Sequence, residues 1–358
     1  MSETYQIKDN TLVGYPDHEN VIVIPDGIHA IESYLFDDSC ISYLAMPESV
    51  KTLGVQTFCW CDRLCIIDFS KHIKRLERDV FNSIAAYRLN PTESLVYIGN
   101  AAFQGSLSLL FFQFPDNVIF IADRAFHHCV SMRYVTFGNQ LKYIGENAFS
   151  STALEYLYLP ESLISIGRYA FADCENLCWV TLKEGLLSID EAAFRGCVSL
   201  KCIEIPDSVV SISKRAFTDC DSLEIVELPE KFKNVSMKDV FPFHTKIVFR
   251  NKTGESRVQK GRHTNDIKLI ESQLHENENE MVFGTAESSY AMGCYYLFVK
   301  QDEKKAKAHM EQAAAQGFAK AHYQLYFLDK SQNKRVHLLR AATLGCEKAV
   351  YELIKLLG

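Results

Sequence analysis

Three cysteines, Cys59, Cys61 and Cys65, fall within seven residues and raise the question of a metal. A zinc site needs three or four converging ligands, commonly two pairs held at fixed spacing. No second pair with metal-ligand spacing follows these three. The expectation is that Cys61 packs inside the fold while Cys59 and Cys65 lie on other faces, with no metal bound. His127, His128 and Cys129 suggest a second chemistry, a thiol activated by an imidazole. That arrangement needs a cleft and a third group to orient the base. The expectation is a hydrogen-bonded or solvated histidine pair beside a buried Cys129. A cryptic cysteine hydrolase stays open as a third-ranked alternative, testable with a thiol-reactive activity probe. The chain has no phosphate-binding G-x-x-x-x-G-K-[ST], no G-x-G-x-x-G, no H-E-x-x-H and no G-x-S-x-G. No catalytic, cofactor or metal residue is therefore assigned, and the chain reads as a non-enzyme.

The cysteines gain meaning from the residues around them. Phe36, Phe58, Phe81, Phe103, Phe126, Phe149, Phe171, Phe194 and Phe217 recur at intervals of 22 or 23 residues, and Phe241 follows at 24. A period of this size means stacked coils, each burying its apolar positions against its neighbours. Three residues after the Phe stands Cys61, Cys129, Cys174, Cys197 or Cys220, replaced by Ser106 and Thr152 in two coils. Cysteine is small and comfortable when buried, and its thiol can donate weakly to a carbonyl. Six residues after the Phe comes Leu or Met, and then an apolar-x-apolar pair such as Ile203 and Ile205 or Val226 and Leu228. That Leu-x-x-Val-x-Leu string is a short strand. Pro47, Pro115, Pro160, Pro206 and Pro229 end it, because proline cannot continue a ladder. The segments SLISIG and SVVSIS read as the return to the next Phe.

Strings such as IGRYAFADCENLCWVTL and ISKRAFTDCDSLEIVELP resemble the BspA-type leucine-rich repeat, whose coil runs Ile-Gly-x-x-Ala-Phe-x-x-Cys-x-x-Leu-x-x-Ile-x-Leu-Pro. The segment DNTLVGYPDHENVIVIPDGIHAI is similar to that family's N-terminal cap. The resemblance covers residues 1–250 and implies an α/β leucine-rich-repeat solenoid with a parallel sheet. Residues 82–94 lack the Cys and the strand pattern, so a distorted coil is expected there.

The texture then changes. Residues 251–283 are polar and read as a linker or cap with one short helix around Ile267–Leu274. Residues 284–358 are alanine-rich, and AAAQGFAKAHYQL and AATLGCEKAVYEL repeat one pattern 28 residues apart, with AESSYAMGCYYLF as an earlier partial copy. This part resembles Sel-one-like repeats, relatives of the tetratricopeptide repeat. The resemblance implies a small all-α helical-repeat module that binds proteins, with Gly317 and Gly345 each ending a first helix.

The composition limits the partners. The formal net charge is -7 at pH 7. Residues 1–250 carry 22 basic and 32 acidic residues, a balance that repels a phosphate backbone and disfavours nucleic acid. No secretory signal and no apolar run long enough to span a bilayer is read from the sequence, and five of the twelve cysteines sit at the repeat's Cys position. These features point to free thiols in a reducing, cytoplasmic compartment. On the strand, the residues between the core positions point outward. They include Tyr43, Phe111, Tyr134, Tyr156, Tyr158 and Trp179, a column that reads as a protein-binding surface, with Glu204, Glu224 and Glu227 making its far end acidic. The reading is a protein-interaction scaffold or adaptor. The alternative is a surface-exposed or secreted adhesin-like protein.

Overall fold

A computed structural model describes residues 5–250 except 17, 18, 87 and 90, together with residues 303–328, 334–344, 346 and 349. Two compact units divide the chain, Met1–Val258 and Gln259–Gly358.

The first unit is a solenoid whose coils follow the Phe period. Each periodic Phe, from Phe36 and Phe58 to Phe194 and Phe217, is fully buried. Successive rings stack face to face: Phe126 on Phe149 at 5.1 Å and 2°, Phe149 on Phe171 at 5.3 Å and 5°, Phe171 on Phe194 at 5.3 Å and 10°. The stack continues to Phe241 at one end and is met by Tyr15 at the other. The thiol rung runs beside it. Cys61 donates to the Phe36 carbonyl at 3.0 Å, Cys129 to Phe103 at 3.1 Å, Cys197 to Phe171 at 3.3 Å and Cys220 to Phe194 at 3.1 Å. Ser106 and Thr152 fill the place with hydroxyls that donate to Phe81 and Phe149. The repeated Cys is thus a weak donor that satisfies a buried carbonyl at little desolvation cost.

Each regular coil has two strands, where the sequence reading expected one. The leading strand is the Leu-x-x-Val-x-Leu string, such as Tyr156–Tyr158 or Trp179–Thr181, and pairs in parallel with its neighbours. The return segment forms a second, two-residue strand, such as Ser165–Ile166 or Ser188–Ile189. Seven return strands, from Arg75–Leu76 to Ser211–Ile212, make one parallel sheet. The leading strands fall into four separately hydrogen-bonded pieces, with breaks after Ile66–Asp68, Tyr134–Thr136 and Trp179–Thr181.

The expected α/β class is corrected here. Among the described residues of this unit the Phe segment is not helical. The second residue on either side of the Phe has a positive φ, as at Asn147 (55°) and Ser151 (57°) around Phe149, or Arg124 (57°) and His128 (59°) around Phe126. A left-handed residue breaks an i→i−4 helix. Its amide turns instead to the next coil: Asn147 donates to Arg168, Phe149 to Ala170 and Ser151 to Ala172, at 2.7–2.9 Å. Gly105 and Gly196 take this position in two coils at φ of 69° and 72°, without the Cβ penalty. The unit is an all-β solenoid of parallel ladders with one 3-10 turn, Glu230–Phe232, near its end.

The irregular coil is where it was expected. Ile84 replaces the Cys rung and is buried, and the leading strand shrinks to Arg88–Leu89. That strand pairs with Phe111–Gln113 but opens the first break on its other side. At the N-terminus Gln6–Lys8 and Thr11–Gly14 form an antiparallel hairpin. Asp9 and Asn10, with φ of 49° and 57°, form its tight turn.

In the second unit three helices are described: α1 (Glu303–Ala315), α2 (Ala319–Leu328) and α3 (Lys334–Thr343). Gly317, at φ 82°, ends α1, and the Phe318 amide bonds back to the Ala313 carbonyl at 3.1 Å. The helix expected around Ile267–Leu274, the partial copy AESSYAMGCYYLF and Gly345 lie outside the described residues.

Candidate functional site: the outward face of the leading strands

The residues first suspected of chemistry are held by the scaffold. Cys61 is buried and bonded to Phe36 and Ser39. The Cys65 thiol donates to the Arg63 carbonyl and is half-buried. Among the described residues no three His, Cys, Asp or Glu side chains gather as a metal site would require. Burial pushes the Cys59 thiol up to about 12 and the Cys61 thiol up to about 11. A thiol held protonated this way is a poor nucleophile and a poor metal ligand. Cys129 points inward to its carbonyl, while His127 Nδ1 and Ser150 Oγ share a hydrogen bond of 2.6 Å on the turn beside it. Burial, with His128 and Arg124 next in effect, lowers the His127 pKa. The imidazole and the thiol thus serve different partners.

The leading strands do put aromatic side chains on one face. Inward residues such as Leu157 and Val180 are buried, and the alternate positions are not. Tyr43, Tyr134, Tyr156 and Trp179 are half-buried, and Tyr158 is 52% exposed. Register pairs Phe111 with Tyr134 and Tyr156 with Trp179. Tyr43 pairs with Ile66 on a separate piece of sheet. The column is therefore three short clusters, not one continuous ladder. Phe111 departs from the expectation: it is 4% exposed and belongs to the buried set. It occupies the central strand of its three-stranded piece, flanked on both sides by paired strands.

The polar atoms of these rings are used within the chain. Tyr43 donates to Asp68 Oδ2 at 2.5 Å, and Trp179 Nε1 to Thr181 Oγ1 at 2.9 Å. Burial, then the neighbouring Cys178 and Glu155, pushes the Tyr156 phenol up to about 12, so it stays a neutral donor. Beside it Arg133 and Glu155 pair at 3.6 Å, and burial raises the Glu155 carboxyl. Uncharged rings flanked by a compensated ion pair make a surface suited to apolar contact with a few directed hydrogen bonds.

At the far end of the face Glu204 and Glu224 are exposed, while Glu227 is buried. Arg250, on the last strand Lys246–Arg250, reaches back across two coils. It bonds Glu204 and the Ile205 carbonyl, and lies 3.4 Å from Asp207 and 3.8 Å from Glu227. Its side chain is only 13% exposed. One guanidinium offsets a single charge among these three carboxylates, and Glu204, Asp207 and Glu224 stay exposed. Nothing in the repeat pattern marks Arg250, because it follows the last regular coil.

Comparison with known proteins places the architecture. The family described as "BspA type Leucine rich repeat region" matches in six copies, over residues 5–110, 96–224 and 142–247. No curated protein matches the chain. Similar solved structures include a leucine-rich repeat protein from Bacteroides ovatus ATCC 8483, at 20% identity over 69% of this chain and 98% of that one, with a TM-score of 0.30. The pneumococcal vaccine antigen PcpA is similar at 20% identity over 65% and 74%, with a TM-score of 0.42. A leucine rich cell surface protein from Faecalibacterium prausnitzii A2-165 is similar at 18% identity over 69% and 93%, with a TM-score of 0.30. With the family's coil matched from residue 5 to residue 247 and its Phe and Cys rungs in place, the chain belongs to the BspA-type leucine-rich-repeat family.

Proposed function

We propose that this chain is a protein-binding scaffold, not an enzyme, and that its leading-strand face receives the partner through Tyr134, Tyr156, Tyr158 and Trp179, with Tyr43 as an outlying contact. The observation that carries the reading is Tyr158. It is a large aromatic, 52% exposed, standing beside half-buried Tyr156 and Trp179 in a unit whose periodic phenylalanine rungs are sealed inside. Tyrosine and tryptophan supply contact area at low entropic cost and are common anchors in interfaces. Phe111, which is 4% exposed, is withdrawn from the contact set. The second unit acts as an accessory binding module of the Sel-one-like kind. In support, the bond from Phe318 to Ala313 recurs from Cys346 to Ala341 at 2.9 Å, 28 residues on. The thiol rungs favour a reducing compartment, the cytoplasm, over the adhesin-like reading, since they serve carbonyls and not disulfides.

The test is site-directed photo-crosslinking in the full chain. A benzoylphenylalanine at Tyr158 is expected to give a defined polypeptide adduct in extract of the source cells. The same group at Trp60, 61% exposed on the Phe-segment turns, serves as the control. Identical adducts from both positions, or none from Tyr158, would remove the leading-strand face from the binding role.

A further inference from the structure

The return strands carry a second outward face. Each return segment runs buried, outward, outward, buried, as in Val50-Lys51-Thr52-Leu53 and Leu141-Lys142-Tyr143-Ile144. Along the seven-stranded sheet the second outward position reads Arg75, Tyr97, Phe120 and Tyr143 on adjacent paired strands, then Ser165, Ser188 and Ser211. The Arg75 guanidinium lies 4.1 Å over the Tyr97 ring. Tyr97 stacks on Phe120 at 5.6 Å and 14°, and Phe120 meets Tyr143 at 6.0 Å. The first outward position adds half-buried Val96, Ile119 and Ile164, then Leu187 and Val210, which are 44% and 67% exposed.

The charge on this face is of one sign. From Lys51 to Ser211 the two outward positions hold Lys51, Lys74, Arg75 and Lys142 and not one Asp or Glu. Arg75 leans on Glu77 at 3.6 Å, but the three lysines have no ion-pair partner among the described residues. This basic, apolar strip lies on an otherwise acidic unit. The turns directly before it carry exposed Glu48, Glu93, Asp116, Glu161 and Glu184, with Lys71 and Lys183 among them and Lys71 pairing with Glu48 at 3.0 Å.

We propose that the return-strand face binds a polypeptide segment that is both acidic and apolar. Its carboxylates meet Lys51, Lys74 and Lys142, and its apolar side chains lie over Phe120, Tyr143, Ile164 and Leu187. Complementary charge fixes register, and the apolar strip supplies the buried area. The mostly acidic turns argue for a narrow occupant: an anionic bilayer broad enough to reach the lysines also meets those carboxylates. Sugar rings are disfavoured at Tyr97 and Phe120, whose faces are taken up by stacking on each other and by Arg75. A second copy in a two-fold contact would bring one basic strip against another, which repels.

The experiment selects random dodecapeptides on the intact chain, then measures the best peptide by fluorescence anisotropy against variants. The expected peptides are enriched in Asp and Glu together with aromatic or aliphatic residues. Lys74→Glu with Lys142→Glu should weaken binding about tenfold or more at low salt and less at high salt. Tyr143→Ser with Leu187→Ser should weaken it with little salt dependence. All four positions are exposed, so unchanged melting is the check that the variants fold. Peptides without an acidic excess would overturn the proposal, as would equal binding to the variants or a loss of binding only in Tyr156→Ala with Trp179→Ala. It is overturned equally if phosphatidylserine vesicles, and no peptide, bind this face, or if sedimentation shows a dimer that Lys74→Glu abolishes.

Discussion

Replacing Phe149 with Ala should destabilise the solenoid by about 3–5 kcal/mol, the range for emptying a fully buried aromatic site. Phe149 is stacked between Phe126 and Phe171 at 5.1 and 5.3 Å, and the edges of Phe114 and Phe137 meet it at 6.1 and 5.7 Å. The site cannot collapse easily, because its neighbours are fixed by the ladder amides on both sides. In a stacked array one rung serves two interfaces, so the loss weakens the coupling of both halves. For a unit of this size the melting temperature should fall by roughly 8–15 °C. Phe149→Leu, which keeps most of the volume, should cost less than half as much. Equilibrium urea unfolding of both variants measures the difference. A cost below about 1 kcal/mol for Phe149→Ala would mean that the stack is not the core.

The second large effect is alkaline unfolding under reducing conditions. Burial pushes the Cys61 and Cys174 thiols up to about 11 from the ordinary 9.0, and raises Cys129 and Cys197 in the same direction. A thiol whose folded pKa is raised contributes its full stability below pH 9, where it is protonated in both states. Above pH 9 the unfolded chain releases the proton first, so stability falls as pH rises toward and through 11. Each such thiol loses about 1.4 kcal/mol per pH unit in that window, and four together lose roughly 5 kcal/mol by pH 10. Tyrosine and lysine also titrate there, so the comparison is with Cys129→Ala plus Cys197→Ala. Burial raises Cys59 and Cys178 as well, so the double variant should lose roughly a third of the thiol-dependent decline between pH 8 and pH 10. Identical pH profiles for the two proteins would show that these thiols already ionise freely.

The parts of this fold that were legible in sequence are those that repeat and face inward. Phe149, Cys197 and Leu200 announce themselves because each coil needs the same volume at the same place. Ser165–Ile166 did not, because two residues are too few to show a period of two, and the second sheet went unseen with them. The Phe segment reads as ordinary turn or helix sequence. Its left-handed residues include Gln56, Arg124 and Arg215, where no glycine signals the conformation. Outward residues follow no packing rule, so exposure had to be assumed. Tyr158 met the assumption and Phe111, closed in at the centre of its sheet piece, did not. Arg250 was invisible for a different reason. Its partners Glu204, Asp207 and Glu227 lie two coils and one coil away, a distance that only the stacked structure makes short.

The central claim is a division of labour: inward rungs hold the solenoid, and the leading-strand rings meet the partner. Replacing Tyr156 and Trp179 with Ala together, in the full chain carrying the crosslinker at Tyr158, tests both halves in one protein. The account predicts a cooperative melt within a few degrees of the parent, because neither ring is in the buried set, and loss of the polypeptide adduct. A variant that unfolds would show these rings to be core. One that folds and still captures the same adduct would show the face to be bare scaffold.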